Sequence, residues 1–207
     1  MAKMEERNEA LRTATREKIL SAATVLFARK GLAGTGVQEI ADKAGISVGL
    51  LYRHFKTKED IFGTLIEKAM SDMKAFSTIA EGDIPPVDLI KITAVELVNK
   101  INKDDEYLQF QKLLSRAADD IPESLPHMLE PLMEYTRDLH DKLTRLIERG
   151  QKNGAFRQGS AEGMANLFLA TIQGLCAWKL YNKDGDTQPT PQMLTAFMLK
   201  EEHNFYD

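Results

Sequence analysis

The chain has 207 residues, of which 43% are hydrophobic and 28% are charged, a composition typical of an ordinary globular protein. No run approaches the roughly 18 consecutive apolar residues of a membrane-spanning helix. The charged N-terminus lacks the apolar stretch of a signal peptide, so we expect a cytoplasmic protein without a membrane partner. The single cysteine, Cys176, excludes an internal disulfide and a thiolate-rich zinc site.

The charge is distributed unevenly along the chain. Residues 1–60 carry 11 Lys and Arg against 8 Asp and Glu, whereas residues 61–207 carry 16 against 23. The net charge is therefore +3 in the first segment and −7 in the second. A basic segment attached to an acidic one is expected of a protein that contacts nucleic acid, although a charge run is more often just a solvated face.

Helical periodicity predicts the order of elements from the N-terminus onward. No sustained two-residue alternation marks a half-buried strand, so we expect an all-α fold. A capping box, Thr35 with Gln38 three residues later, predicts the start of the second helix, and Ser47 and Thr57 are predicted N-caps of the next two. The predicted helices of this part span residues 15–30, 35–44, 47–55 and 57–77.

Segments rich in Pro, Gly and Asp interrupt the rest of the chain. These predicted loops lie at residues 81–86, 120–126 and 183–191. Between them, apolar periodicity predicts helices over residues 87–102, 105–118, 127–150, 160–181 and 190–204. We expect two domains: an N-terminal one over residues 1–60, and a larger helical body over residues 61–207.

The second and third predicted helices are joined by the turn A-D-K-A-G-I-S, in which Gly45 takes the sharp corner. This is the spacing of a helix-turn-helix motif, whose second helix enters the DNA major groove. Leu51 and Phe55 are four residues apart and are predicted to face inward. The residues turned to the outer side are then Gly49, Tyr52 and Arg53.

The outward residues have chemistry suited to DNA. Arg53 matches the edge of a guanine or a phosphate, and Tyr52 offers a hydroxyl for phosphate and a ring for a thymine methyl. Gly49 permits close approach of the backbone, while His54 and Lys58 add donors for phosphate. Taken singly, each is more often an ordinary surface residue of a helical bundle. It is their combination that indicates a DNA-binding surface.

The segment from Arg16 to Phe62 closely resembles the DNA-binding domain of the TetR family of transcriptional regulators. The matching motifs are I-L-x-A-A-x-x-L-F, G-x-x-x-T-x-V-x-E-I-A, A-G-I-S and L-Y-x-H-F-K-x-K-E, in this order. The resemblance implies an N-terminal three-helix DNA-binding domain and a helical body that dimerises and often encloses a small-molecule pocket. It covers about 47 residues, and the rest of the chain matches no subfamily.

The resemblance also implies which residues approach DNA. Those at the second helix start contact a neighbouring phosphate or base, and those on and after the third helix approach the groove. Together with the outward residues above, the predicted DNA-binding set is Thr35, Gly36, Val37, Gln38, Ser47, Val48, Gly49, Tyr52, Arg53, His54 and Lys58. Gly36 departs from the family, where a second Thr is common. Since Val48 and Leu50 are apolar, base selection is expected to use thymine contacts and DNA shape.

The predicted helix over residues 160–181 is apolar on most sides and therefore needs cover on more than one face. A second copy of the chain is one source of cover, because two-fold dimers are the commonest oligomers. Close packing within one subunit would produce the same pattern. The predicted dimer contacts are Ala170, Gly174, Ala177 and Phe197.

Seven of the nine methionines lie beyond residue 60, and methionine adapts to irregular apolar cavities. A site for a small apolar or amphipathic effector is therefore predicted in the body, although core packing is the commoner role of any one of these residues. The predicted pocket residues are Met70, Met73, Phe110, Met133 and Phe168.

Enzymatic motifs are absent from the sequence: there is no H-E-x-x-H, G-x-S-x-G or glycine-rich phosphate loop. His140 with Asp138 and Asp141 does not converge on one ion, so neither a metal nor a cofactor is expected. We predict a homodimeric repressor that binds a palindromic operator and is released by a small ligand. Two alternatives remain: a small-molecule or lipid-binding bundle without a DNA role, and a DNA-binding regulator controlled by a protein partner.

Overall fold

The computed structural model describes residues 2–80, 84–120, 126–182 and 188–201, with the backbone alone for residues 2, 3, 69, 71–80, 117–120 and 126–129. Within these ranges the chain is helical, and the predicted all-α fold is confirmed. The helices are α1 (Ala2–Lys30), α2 (Val37–Ala44), α3 (Val48–His54), α4 (Lys58–Ala80), α5 (Pro86–Lys103), α6 (Asp105–Asp120), α7 (Pro126–Lys152), α8 (Ala161–Tyr181) and α9 (Pro191–Thr195).

The first helix is longer than predicted. It begins at Ala2 rather than at residue 15, so α1 has 29 residues. The additional turns carry no continuous apolar stripe, and an analysis of periodicity therefore missed them. Their sequence is nevertheless rich in Ala, Glu and Arg, which are good helix formers.

The last helix is shorter than predicted. The helix expected over residues 190–204 ends at Thr195, and residues 202–207 lie outside the described part. Leu199 instead forms an isolated antiparallel β-bridge with Phe156, in which the Arg157 N–H donates to the Met198 carbonyl at 2.9 Å. Both Phe156 and Leu199 are fully buried, so this segment is held by core packing that the local sequence pattern does not reveal.

The chain divides into two compact units. The first consists of residues 1–69 with residues 112–129, and the second of residues 70–111 with residues 130–207. The predicted boundary at residue 60 falls within α4, which continues through it without a break.

The first unit is built around a small aromatic core. Phe27 of α1 and Phe62 of α4 pack edge to face, with their ring centroids 5.6 Å apart. Side chains from the other two helices complete this core, and the most deeply buried of them are Ile40 and Leu51. Because α2 and α3 each bury one apolar side in this way, their opposite sides are left at the surface.

The second unit has a larger core of aliphatic and aromatic residues from α5, α7, α8 and α9. The ring of Phe156 lies so close to Gly150 that a Cβ atom there would come within 2.5 Å of it. Only glycine therefore fits at this point of α7. A second, smaller cluster contains Ile101, Leu108 and Cys176. No helix of the described residues is both long and apolar enough to cross a membrane.

Candidate functional site

The turn between α2 and α3 has the predicted helix-turn-helix geometry. Gly45 adopts a left-handed conformation, with φ of +68°, which L side chains rarely adopt. The amide of Ile46 then donates to the Ala41 carbonyl at 3.0 Å. Ser47 is the N-cap of α3, as predicted, and its hydroxyl accepts a hydrogen bond from the Leu50 amide at 3.2 Å. These local contacts fix the direction of α3 relative to α2.

The two sides of α3 differ as predicted. Leu51 is fully buried and Phe55, which follows the helix, is 4% exposed. On the opposite side, Tyr52 is 52% exposed and Arg53 is exposed as well. We call the outer residues Ser47, Val48, Gly49, Tyr52 and Arg53 the recognition surface. Val48 is half-buried and the others are exposed.

Gly49 lies at an open position of the recognition surface. A Cβ atom built at this residue would meet no other atom within 4 Å. The fold itself therefore does not require glycine here, and a larger residue would be accommodated within the protein. The absence of a side chain leaves the backbone of α3 free for close approach by another molecule.

The start of α2 differs from the prediction. The helix begins after Gly36 instead of Thr35, and the Gly36 amide donates to the Glu39 carboxylate at 3.1 Å. Thr35 is buried, and its hydroxyl donates to the Gly31 carbonyl at 2.7 Å. This arrangement argues against a side-chain contact between Thr35 and DNA. Gln38 is exposed and donates to Asp42 at 2.7 Å.

Lys58, predicted to contact phosphate, has a different set of partners. Its Nζ donates to the backbone carbonyls of Leu32, Ala33 and Thr35, at 2.8, 3.2 and 3.1 Å. An ammonium group has three N–H donors, and each of these carbonyls accepts one of them. The geometry argues against a phosphate contact by Lys58. Instead, this residue fastens the start of α4 to the loop between α1 and α2.

The predicted cap of α4 is confirmed. The Thr57 hydroxyl accepts from the Asp60 amide, and the Asp60 carboxylate accepts from the Thr57 amide, both at 3.0 Å. This reciprocal pair is a capping box in which Asp replaces the usual Glu.

Several basic residues of the first unit are engaged within the protein. Lys30 pairs with the Glu39 carboxylate, and Lys58 binds backbone carbonyls as described above. Arg53, which belongs to the recognition surface, and Lys56, which follows α3, remain exposed. Fewer cationic side chains are therefore available to a polyanion than the number of Lys and Arg residues in this segment suggests.

Arg16 of α1 also belongs to this site, although the sequence analysis assigned it no role. Its guanidinium lies over the Phe55 ring, 4.4 Å from the centroid, and donates to the Thr64 hydroxyl at 3.3 Å. Arg16 therefore fastens α1 to the C-terminal end of α3. Its position at the edge of the family motif, four residues after Arg12, is the only signal that sequence alone provides.

His54, the last residue of α3, is half-buried in this basic environment. Desolvation lowers the pKa of its imidazole, and the charges of Arg12, Arg16 and Arg53 lower it further. The imidazole is therefore more readily neutral than a free histidine, and it remains able to donate one hydrogen bond.

The predicted dimer contacts lie mainly on one side of α8. Ala170, Gly174 and Ala177 are exposed, while Phe197 is half-buried and packs against the core of its own unit. The same side of α8 carries Leu167, which is 49% exposed, and Tyr181, which is 84% exposed. Leu167 and Tyr181 are not among the dimer contacts predicted from the sequence. Their spacing, in steps of three and four, identifies them as members of the same stripe.

The predicted pocket residues have different environments. Phe168 is buried in the core of the second unit, whereas Met133 is 53% exposed. Met70 and Phe110 are half-buried, and the side chain of Met73 lies outside the described part. The described contacts do not join these residues into one cavity, so the pocket stays a prediction.

Two polar atoms of the helical body are buried without a hydrogen-bond partner among the described residues: Asn102 Oδ1 and the Tyr135 hydroxyl oxygen. Burial raises the pKa of Tyr135 to about 12, and the charge of Asp138 contributes to the shift. Buried polar atoms of this kind usually have a partner. Groups of His, Cys, Asp or Glu able to hold a metal are not found in the described ranges.

Comparison with known proteins agrees with the geometry of the first unit. Residues 19–65 match the family described as "Bacterial regulatory proteins, tetR family". YvkB of Bacillus subtilis strain 168, an HTH-type transcriptional regulator, is 26% identical over 190 residues, covering 90% of this chain and 96% of that protein. DhaR of Mycobacterium sp. strain GP1, an HTH-type transcriptional repressor, is 24% identical over 190 residues, covering 89% and 91%.

A similar fold occurs in AibR, whose structure was solved in complex with isovaleryl coenzyme A and operator DNA. The TM-score is 0.67 at 18% identity, covering 87% of this chain and 93% of that chain. The related proteins are transcriptional regulators and not enzymes, as the sequence analysis predicts for this chain. The ordered motifs, the helix-turn-helix geometry and these similarities agree that residues 19–65 form a DNA-binding domain of the TetR-family type.

Proposed function

We propose that this regulator is a homodimeric repressor that inserts α3 of each subunit into successive major grooves of a palindromic operator. The observation that carries the proposal is the exposure of the recognition surface on a helix whose other side is fully packed. A short helix anchored by Leu51 and Phe55 is a rigid element, which suits direct contacts with base edges.

The division of roles follows from the exposed groups. Arg53 is suited to a guanine edge, where a guanidinium donates two hydrogen bonds, and Tyr52 to phosphate or a thymine methyl. Gly49 allows the backbone of α3 to approach the groove, and the amides at the start of α2 suit a flanking phosphate. The proposed interface therefore comprises Gly36, Val37, Gln38, the recognition surface and His54, without the side chains of Thr35 and Lys58.

The DNA part of the proposal is tested by selecting binding sites from a library of random-sequence duplexes with the full-length protein. We expect enrichment of a palindrome with half-sites about one helical turn, or a multiple of it, apart. A protein that enriches no sequence, or only an isolated half-site, would contradict it.

The proposed dimer uses the exposed stripe of α8. Leu167, Ala170, Gly174, Ala177 and Tyr181 follow one another at intervals of three and four residues, the spacing of an apolar helix–helix seam. The opposite side of α8 packs within the subunit, where Ala165, Phe168 and Cys176 are buried. Small residues along the exposed stripe permit close approach of a second helix, and two-fold symmetry would place α8 against itself.

The proposed effector is a small apolar or amphipathic molecule bound in the helical body. Support comes from Asn102 Oδ1 and the Tyr135 hydroxyl, which are buried without partners in the described part and are suited to orient a ligand among apolar residues. The complex of AibR with an acyl coenzyme A shows that a protein of similar fold accommodates such a molecule.

Release from DNA requires that the effector bind the DNA-incompetent state more tightly. Native mass spectrometry of protein purified from its own cells is expected to detect a bound molecule, and that molecule should weaken DNA binding when added back. Tyr135→Phe keeps the ring while removing the hydroxyl, so we expect it to weaken this response with little effect on folding. A response unchanged in Tyr135→Phe would remove Tyr135 from the site.

A further inference from the structure

The additional N-terminal turns of α1, residues 2–14, which we call the N-terminal extension, precede the point at which α1 packs against the end of α3. Arg16 is the point of attachment, since its guanidinium packs on the Phe55 ring and is bonded to Thr64. One turn earlier on the same side of α1 is Arg12, four residues and about 6 Å along the helix axis. Arg12 is exposed. The packing of Arg16 therefore directs a second guanidinium toward the region beside α3.

The side of α1 that carries Arg16 is an open surface formed by Asn8, Glu9, Arg12, Thr13 and Arg16. Arg12 is exposed on this surface, so its guanidinium is accessible to an incoming group, and Asn8 and Thr13 provide further polar groups. Glu9 is the only acidic residue of this set, and it precedes Arg12 on the helix, away from Arg16, so the electrostatic attraction for an anion is strongest at the Arg12 end.

We propose that Arg12 binds a phosphate of the DNA backbone beside the major groove occupied by α3, which makes the N-terminal extension of α1 part of the DNA-binding surface. The proposal rests on the DNA-binding function proposed above and adds a contact outside the helix-turn-helix motif. Arg16 acts as a positioning residue, because its own guanidinium is held against Phe55.

The electrostatics of His54 are consistent with this arrangement. Besides desolvation, the charges of Arg12, Arg16 and Arg53 lower the pKa of its imidazole, so these cations lie near enough to His54 to act on it. Several cations gathered in one region repel one another in the free protein, and a phosphate placed among them relieves that repulsion.

The matched control is Arg7, an exposed arginine of the same extension. Arg7 precedes Arg12 by five residues, which places it about 140° away around the helix axis. The substitutions Arg12→Ala and Arg7→Ala change the net charge and the composition of α1 identically. Only Arg12→Ala removes a group from the side of α1 that carries Arg16.

The experiment measures binding of each full-length variant to a duplex selected by the wild-type protein and to a 30-base-pair duplex of unrelated sequence, over a range of NaCl concentrations. We expect Arg12→Ala to weaken binding to both duplexes about three- to tenfold for each subunit and to reduce the salt slope by about 0.9 for each subunit. Arg12→Lys should retain the slope, and Arg7→Ala should resemble the wild type. Thermal unfolding should be unchanged in all variants.

The outcomes separate this inference from the function on which it rests. If the wild type binds but Arg12→Ala has the wild-type affinity and slope, or behaves as Arg7→Ala does, Arg12 makes no phosphate contact and the inference is overturned. If the wild type binds neither duplex at low salt, the proposed DNA-binding function itself fails. A change in thermal unfolding without a change in slope would assign Arg12 a structural role and also overturn the inference.

Discussion

Two helices of this protein, α3 and α8, each bury one side and expose the other, and their exposed sides are chemically different. The outer side of α3 presents a hydroxyl, a phenol and a guanidinium around the open Gly49 position. The outer side of α8 presents Leu167, three small residues and Tyr181. Polar and charged groups remain favourable against a hydrated polyanion, whereas an apolar stripe is stabilised by dry contact with protein.

This difference indicates that exposure alone does not identify a functional surface. On α3 the exposed side is supported by Arg16, which holds α1 against the end of the helix, and it lies in the basic part of the chain. On α8 the exposed side lies in the acidic part, where repulsion disfavours DNA. We therefore expect substitutions on the two helices to affect different equilibria.

The largest effect is expected for Leu167→Lys on α8. In a two-fold dimer the substitution introduces two charges into the same apolar seam, and burying unpaired charges costs several kcal/mol. Analytical ultracentrifugation should show the dimer dissociation constant rising by about 100-fold or more. The control is Ile92→Lys, because Ile92 is 52% exposed on α5 and lies outside the stripe. The proposed interface would be contradicted if both variants raised the dimer dissociation constant equally, or if neither raised it.

Arg53→Ala is expected to weaken binding to the selected duplex by about 1–3 kcal/mol, because a guanidinium bidentate to guanine is lost. The loss should be accompanied by relaxed preference at one position of each half-site. Titrations with single-base variants of the duplex measure this preference. A uniform loss on every duplex would show instead that Arg53 contacts only the backbone.

Gly49→Ala should change stability and DNA binding in opposite directions. Alanine favours the helix by about 1 kcal/mol relative to glycine, and the protein leaves open space for the added methyl group. We expect a higher free energy of unfolding together with roughly tenfold weaker operator binding, because the methyl group separates α3 from the groove. Unaltered DNA binding by Gly49→Ala would show that the backbone does not approach DNA here.

The smallest effect on DNA is expected for Lys58→Ala. This substitution removes three hydrogen bonds to the loop between α1 and α2, so the free energy of unfolding should fall by about 1–2 kcal/mol. The salt slope of DNA binding should remain that of the wild type. Lys56→Ala, at an exposed neighbour, should have little effect on stability. A reduced slope with unchanged stability in Lys58→Ala would restore the phosphate contact predicted from sequence.

The comparison of sequence with structure shows where local signals suffice. Gly45, Ser47 and Thr57 are recognisable without tertiary information, because turns and N-caps depend on a few neighbouring residues. The positions of α2, α3 and the start of α4 were therefore predictable to within about two residues. The inward orientation of Leu51 and Phe55 followed from helical spacing and is confirmed by their burial.

The remaining features depend on contacts between distant parts of the chain. The Lys58 ammonium group donates to backbone carbonyls more than twenty residues earlier in the sequence. A sequence motif for phosphate binding does not reveal these partners. The end of α9 is determined by pairing with Phe156. The attachment of α1 to α3 through Arg16 likewise requires the folded chain. Of the residues predicted to line a pocket, Phe168 is buried and Met133 is exposed, and the described contacts do not join them.

The most direct test of the account is a hydroxyl-radical footprint of the full-length protein on its selected duplex. Because each subunit presents one recognition surface, we predict two protected half-sites with centres about 34–36 Å apart or at a multiple of that distance. Both should weaken together, at a protein concentration that just protects the duplex for the wild type, when Arg53 is replaced by alanine. A wild-type protein that protects no DNA, or protects one unsymmetrical segment that persists in Arg53→Ala, would contradict the account.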